Sequence, residues 1–221
     1  MTSSDDGRTW SEPRRLPEGV LGPIKNKPVE LADGTILCPS SSESSADGWT
    51  VHFERTRDLG RSWTVVGPIN TKEEFNAIQP SVLIHADGRL QVLCRTREDV
   101  ISMSWSDDSG MTWSKMSATV LPNPNSGTDA VSLSDGQQLL VYNPTRRQPD
   151  GKSGARSPLQ VAVSADGKNW ADVVVLENDD AKHGYSYPAV IQTRDGLVHI
   201  TYTWRRERIR HVVLDPRQLQ P

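Results

Sequence analysis

Ser3-Ser4-Asp5-Asp6-Gly7-Arg8-Thr9-Trp10 opens the chain, and the same element returns three times. The second copy is Thr56-Arg57-Asp58-Leu59-Gly60-Arg61-Ser62-Trp63. The third is Ser106-Asp107-Asp108-Ser109-Gly110-Met111-Thr112-Trp113. The fourth, one residue shorter, is Ser164-Ala165-Asp166-Gly167-Lys168-Asn169-Trp170. An Asp side chain can accept from backbone N–H groups just ahead of it, and Gly tolerates positive φ, so the element reads as a tight turn. The closing Trp supplies an apolar plate that can pack between neighbouring sheets. A single match carries little weight, but four copies at near-constant spacing mark a repeat architecture.

A second turn runs in phase with the first. Asp33-Gly34, Asp87-Gly88, Asp135-Gly136 and Asp195-Gly196 each separate two short apolar runs, as in Ser81-Val82-Leu83-Ile84 before Asp87 and Leu90-Gln91-Val92-Leu93-Cys94 after it. Each pair reads as strand, tight turn, strand. Together the two turns define a four-stranded unit of about 50 residues, which is a propeller blade. The expected fold is all-β: a propeller of four-stranded blades, with about four of six present. The expected division of the single 1–221 domain is the end of one blade at 1–17, whole blades at 18–70, 71–120 and 121–178, and a last blade at 179–221 that lacks the Asp–Gly–Trp turn.

Bulk properties agree. Among 221 residues there are 16 Gly, 15 Pro and 7 Trp, so turns are dense and apolar runs short. The net charge of −3 argues against a nucleic-acid partner. No apolar stretch approaches the roughly 18 residues of a membrane span. The N-terminal residues show no signal-peptide pattern, and the compartment stays open. Cys38 and Cys94 make no disulfide framework and are expected to be free strand residues. The five histidines lack metal-ligand spacing, so neither zinc nor another cofactor is expected. The glycines are turn glycines, with no phosphate loop or dinucleotide fingerprint.

With these motifs in hand, the chain resembles the sialidase (neuraminidase) superfamily, in its branch of Asp-box (BNR-repeat) predicted neuraminidases. The resemblance implies an axial arginine cluster that grips a sugar carboxylate, a tyrosine nucleophile helped by a glutamate, and an aspartate acid/base. In the stretch Ile78 to Arg95, Arg95 matches the second arginine of the cluster, and Gln79 stands where the glutamate would be. Arg156, in Gly154-Ala155-Arg156-Ser157-Pro158, matches the third arginine. In Gly184-Tyr185-Ser186-Tyr187-Pro188, Tyr185 falls at the nucleophile. The first arginine and the aspartate would lie in blades preceding Met1. The resemblance therefore implies N-terminal blades, or a second copy of the chain, to cover the open ends of the propeller.

The residues themselves nominate further contacts. Arg97 follows Arg95 by two positions, so both guanidiniums fall on one side of a strand. Asn26 and Lys27 sit before Pro28 as Gln79 sits before Pro80 and Tyr187 before Pro188, which makes them candidate substrate contacts. Asp129 is a carboxylate near a blade opening, readable as a ligand contact or as turn chemistry. Tyr187 shares the side of Tyr185 if the segment is extended, and one of the two would then be a packing residue. Glu54 and Arg55 read as an outer-strand pair, and Arg205 to Arg210 as a charged, solvated hairpin.

The reading that combines these is a sialidase-like glycoside hydrolase acting on terminal sialic acid or a related acidic sugar. Tyr185 and Gln79 are its expected catalytic pair. Arg95, Arg156, Arg97, Lys27, Asn26, Asp129 and Tyr187 are its expected substrate contacts. Two alternatives stand beside it. One is a propeller lyase or hydrolase for another uronate-bearing polysaccharide. The other is a partial propeller that binds carbohydrate without cleaving it, since an amide at Gln79 cannot act as a base.

Overall fold

A computed structural model describes residues 1–148 and 153–219. Over the described residues the fold is all-β, with four antiparallel sheets arranged as propeller blades. The first blade holds β1 (Val29–Glu30), β2 (Ile36–Ser44), β3 (Gly48–Thr56) and β4 (Thr64–Val66). The second holds β5 (Ala77–Ile84), β6 (Leu90–Thr96), β7 (Val100–Ser106) and β8 (Ser117–Pro122). The third holds β9 (Asp129–Ser132), β10 (Gln138–Tyr142), β11 (Leu159–Ser164) and β12 (Ala171–Glu177). The fourth has three strands, β13 (Tyr185–Gln192), β14 (Val198–Trp204) and β15 (Arg208–Leu214), followed by a 3-10 turn at Pro216–Gln218.

Strands within a blade follow chain order, each pairing with the next. Tight turns allow nothing else at so short a range, because adjacent antiparallel strands need only a hairpin between them. The Asp–Gly–Trp elements fold as the residues dictate. In the second copy, Asp58 Oδ1 accepts from the Arg61 and Ser62 amides at 2.9 and 2.8 Å, and Oδ2 from the Ser62 hydroxyl at 2.6 Å. The Thr56 hydroxyl accepts from Gly60 N, and Trp63 Nε1 donates to the Gly60 carbonyl at 3.0 Å. The other three copies repeat the Trp-to-Gly bond. The Trp113 ring reaches the neighbouring blade and stacks on Phe53, with centroids 4.2 Å apart.

These turns leave a chemical signature. Hydrogen bonds from the Thr9, Ser62 and Thr112 side chains, then from the adjoining amides, hold Asp5, Asp58 and Asp108 down at about 2. Asp108 is exposed and Asp5 and Asp58 are half-buried, so bonding to the charged form, not burial, sets the direction.

The core lies between blades rather than within one. Leu37, Phe53, Val82, Val92 and Cys94 form one cluster, Leu83, Leu93, Ala130, Leu140 and Ala162 a second, and Val141, Val161, Val190 and Ile200 a third. Cys38 and Cys94 are both buried and free. Glu54 is not an outer-strand partner of Arg55. It is fully buried and accepts from the Leu21 and Gly22 amides, both at 2.6 Å, which ties the segment leading into the first blade to β3. Among the described residues no helix is long and apolar enough to cross a membrane.

Candidate functional site

The first strands of successive blades, β5, β9 and β13, lie side by side at the propeller axis. Just before or at the start of each inner strand, one residue other than glycine adopts left-handed backbone. These residues are Lys25 (φ 65°), Gln79 (φ 56°), Asn125 (φ 58°) and Tyr187 (φ 53°). Non-glycine residues reach this region at a steric cost, and such strain concentrates at functional sites. At Gln79 and Tyr187 the positive φ coincides with a register shift in the strand pairing, between Ile78 and Ser81 and between Ser186 and Ala189. The bulge re-aims the side chain away from the alternation of its strand.

Around Arg95 these residues converge. Arg95 is buried, with Nε donating to Asn125 Oδ1 at 2.8 Å and Nη1 to Gln79 Oε1 at 3.4 Å. It also acts electrostatically on the Tyr187 phenol. Arg156, in the loop between β10 and β11, holds its guanidinium carbon 5.7 Å from the Tyr187 ring centroid. Gly127 approaches Gln79, Tyr187 and Lys25 closely. A methyl group there would lie 3.0 Å from Gln79 Oε1, 3.1 Å from Tyr187 Cδ1 and 3.4 Å from Lys25 Cε.

The two tyrosines occupy opposite environments. Tyr185 is fully buried and packs edge-on to Tyr202 with centroids 6.4 Å apart. Its hydroxyl donates to Asp179 Oδ1 at 2.7 Å and accepts from Arg205 Nε at 3.4 Å. Burial, then the bond to Asp179, raises its pKa. Tyr187 is 46% exposed at the mouth. Burial pushes its hydroxyl up, but the neighbouring guanidiniums, Arg95 first and then Arg156, outweigh it, leaving the phenol below its ordinary value. The expectation that the two rings share a side assumed an extended segment. The bulge at Tyr187 breaks that alternation, so Tyr185 is the packing residue and Tyr187 faces the arginines.

Asp129, Asn26 and Lys27 meet each other rather than the mouth. Asp129 Oδ1 accepts from Asn26 Nδ2 at 2.9 Å and the Ser81 hydroxyl at 3.1 Å. Its Oδ2 accepts from Lys27 Nζ at 2.9 Å and the Val190 amide at 2.8 Å. One buried carboxylate thereby joins all four blades, and its acceptor sites are filled. The Lys27 ammonium also donates to the Ala130 carbonyl.

Lys25, which sequence reasoning passed over, is the lysine at the mouth. Its Nζ donates to the carbonyls of Thr128 and Pro188, and burial lowers its pKa to about 8. Aligning blades on the residue before proline pointed to Lys27; the left-handed backbone position lies two residues earlier.

Arg97 lies beyond the end of β6. Its guanidinium carbon sits 3.9 Å above the Trp49 ring, whose other neighbour is Arg95 at 5.5 Å. Among the described residues no group of three or more His, Cys, Asp or Glu is arranged to hold a metal ion.

Comparisons with known proteins agree with this architecture. Residues 1–200 match the BNR repeat-like domain family. A sialidase of Bacteroides fragilis (strain YCH46) is 24% identical over 208 residues, covering 86% of this chain and 36% of the relative. The chain thus spans little more than a third of that relative's length. Among solved structures, a Hadza microbial sialidase superposes with a TM-score of 0.75 at 20% identity, covering 99% of this chain and 43% of that one. The intramolecular trans-sialidase from Ruminococcus gnavus gives 0.65 at 20% identity, covering 88% and 44%. The NanB sialidase from Streptococcus pneumoniae gives 0.65 at 18%, covering 87% and 31%. Identities of this size establish a shared fold.

Proposed function

The chain belongs to the BNR repeat-like domain family, and on that premise we propose that its axial mouth binds an acidic glycan by the sugar carboxylate and cleaves the adjoining glycosidic bond. Arg95 and Arg156 hold the carboxylate, and Tyr187, ionised with its proton lost to solvent, attacks the anomeric carbon as the glycosidic C–O bond breaks and the leaving oxygen takes a proton from solvent. The observation that carries this reading is the placement of Tyr187, 46% exposed at the mouth with the Arg156 guanidinium carbon 5.7 Å from its ring centroid and with Arg95 and Arg156 holding its phenol below the ordinary pKa.

The chemistry follows from charge. A carboxylate nucleophile would repel the carboxylate of an acidic sugar, whereas a phenol brings no charge until it ionises. The arginines favour the phenolate, and Gln79, an amide where a base is expected, contributes by accepting from Arg95 and holding it in place. As the oxocarbenium-like transition state forms, preorganised cations on the carboxylate keep the sugar oriented without further solvent reorganisation. Water then releases the sugar from Tyr187 in a second displacement.

Gln79 favours one alternative, carbohydrate capture without turnover, because nothing at that position can take the tyrosine proton. A fluorogenic aryl sialoside separates the two. Its good leaving group needs little acid assistance. Turnover that falls at least about 1000-fold in Tyr187→Phe, and far less in Tyr185→Phe, supports the proposal. Greater loss in Tyr185→Phe returns the nucleophile to Tyr185. Binding of a sialoside without turnover by the wild-type chain supports capture alone.

A further inference from the structure

Beside the mouth, a cleft of about 560 Å³ opens between the tip of the β2–β3 hairpin and the segments around Asn76 and Arg97. We propose that this cleft is a second anion subsite, centred on Arg97, for the charged group of the sugar next to the one held by Arg95 and Arg156. The inference rests on the acidic-glycan reading and narrows it, to glycans that carry anions on two consecutive sugars.

Trp49 couples the two positions. Its buried indole contacts both guanidiniums, Arg95 on the axial side and Arg97 on the cleft side. Both distances fall within the range for cation–π attraction. One ring therefore fixes two cations at neighbouring positions, with the planar Arg97 fork pre-set for a carboxylate or sulfate. Arg97 is exposed, and among the described residues no carboxylate lies within ion-pair distance of it. The adjacent Glu98 is occupied, accepting from the Asn76 amide, Asn76 Nδ2 and the Arg97 amide. Glu43, exposed on the opposite wall, is the one carboxylate among the residues lining the cleft, against Arg97 and Lys72.

The walls are built closely. At Gly48 (φ 78°) a methyl group would lie 2.6 Å from Lys72 Cβ and 2.8 Å from Asn76 Oδ1. Only glycine lets the hairpin tip approach this far. Lys72 Nζ donates to the Ala46 carbonyl at 2.7 Å, which keeps its ammonium at the rim with further donors to offer. Asn76 Oδ1 accepts from the Trp49 amide at 3.3 Å and fixes the strand that carries the indole.

The test is calorimetric affinity for two pairs of thio-linked, uncleavable probes. One pair is an α2,8-linked disialoside and methyl sialoside; the other is a digalacturonoside and methyl galacturonoside. In the wild-type chain at low salt, the two-anion member of the matching pair binds about 5- to 10-fold more tightly. That ratio falls toward one in Arg97→Gln, is partly kept in Arg97→Lys, and shrinks as added salt screens the exposed cation. A wild-type ratio near one, or a ratio preserved in Arg97→Gln, overturns the second subsite while leaving the axial site standing. If no probe binds the wild-type chain, the acidic-glycan reading falls and the subsite falls with it.

Discussion

Removing the Asp129 carboxylate tests whether the four blades are held at the axis by one residue. In Asp129→Ala four donors lose an acceptor: Asn26 Nδ2, the Ser81 hydroxyl, Lys27 Nζ and the Val190 amide. They do not suffer equally. Asn26 and Ser81 keep each other at 2.5 Å, and Asn26 keeps the Thr128 carbonyl. Lys27 keeps the Ala130 carbonyl, and its side chain is 29% exposed, so water can reach it. The Val190 amide is left buried with no acceptor, which costs about 1–3 kcal/mol. Breaking a buried ion pair by removing one partner costs about 3–5 kcal/mol in all, and the exposure of Lys27 argues for the middle of that range, about 4 kcal/mol. For a chain of this size each kcal/mol moves Tm by about 2–4 °C, so a drop of about 10 °C is expected in a thermal melt. A lower urea midpoint with unchanged slope would confirm that stability changed and not the denatured state. Asp129→Asn keeps the side-chain volume but turns an NH2 group toward two donors, so it should still lose more than about 2 kcal/mol. A loss under about 1 kcal/mol in both variants would refute the hub.

The remaining predictions follow from turns and packing. The folded-state pKa values of Asp5, Asp58 and Asp108 lie at about 2, below the unfolded value near 3.9. Their stabilisation is therefore complete above about pH 4 and is lost as pH falls toward 2. Thermal melts should be flat from pH 7 to 5 and decline from about 4 to 2, with a shallower decline in the Asp58→Asn/Asp108→Asn double variant; an identical decline in both proteins would refute this. Gly127→Ala should disturb the mouth more than the fold, because the three atoms nearest its methyl group belong to the side chains of Gln79, Tyr187 and Lys25. Acidic-sugar affinity should fall about 10-fold with Tm within a few degrees of wild type; the reverse pattern would show that Gly127 serves packing.

The blades were legible because their determinants are local. An Asp accepting from amides three and four residues ahead, a Trp donating to a Gly carbonyl three residues behind, and an Asp–Gly turn between apolar runs are contacts a linear reading contains. Arg95, Gln79 and Arg156 could be nominated by motif position, but the motif pointed to Tyr185, whereas the structure places Tyr187 beside them at one mouth. The use of each side chain was not local. Which tyrosine faces the arginines depends on a bulge that interrupts strand alternation between Ser186 and Ala189. Whether Asp129 meets a ligand depends on donors contributed by three other blades, more than 40 residues away in the chain. Lys25 rather than Lys27 reaches the mouth because the left-handed residue, not the residue before proline, sets direction there. Sequence by itself determined the repeat and the blades, since a turn closes on its own hydrogen bonds. Only the tertiary structure decided which polar side chains are consumed at the axis and which remain free to bind, because those partners meet only when the blades close around it.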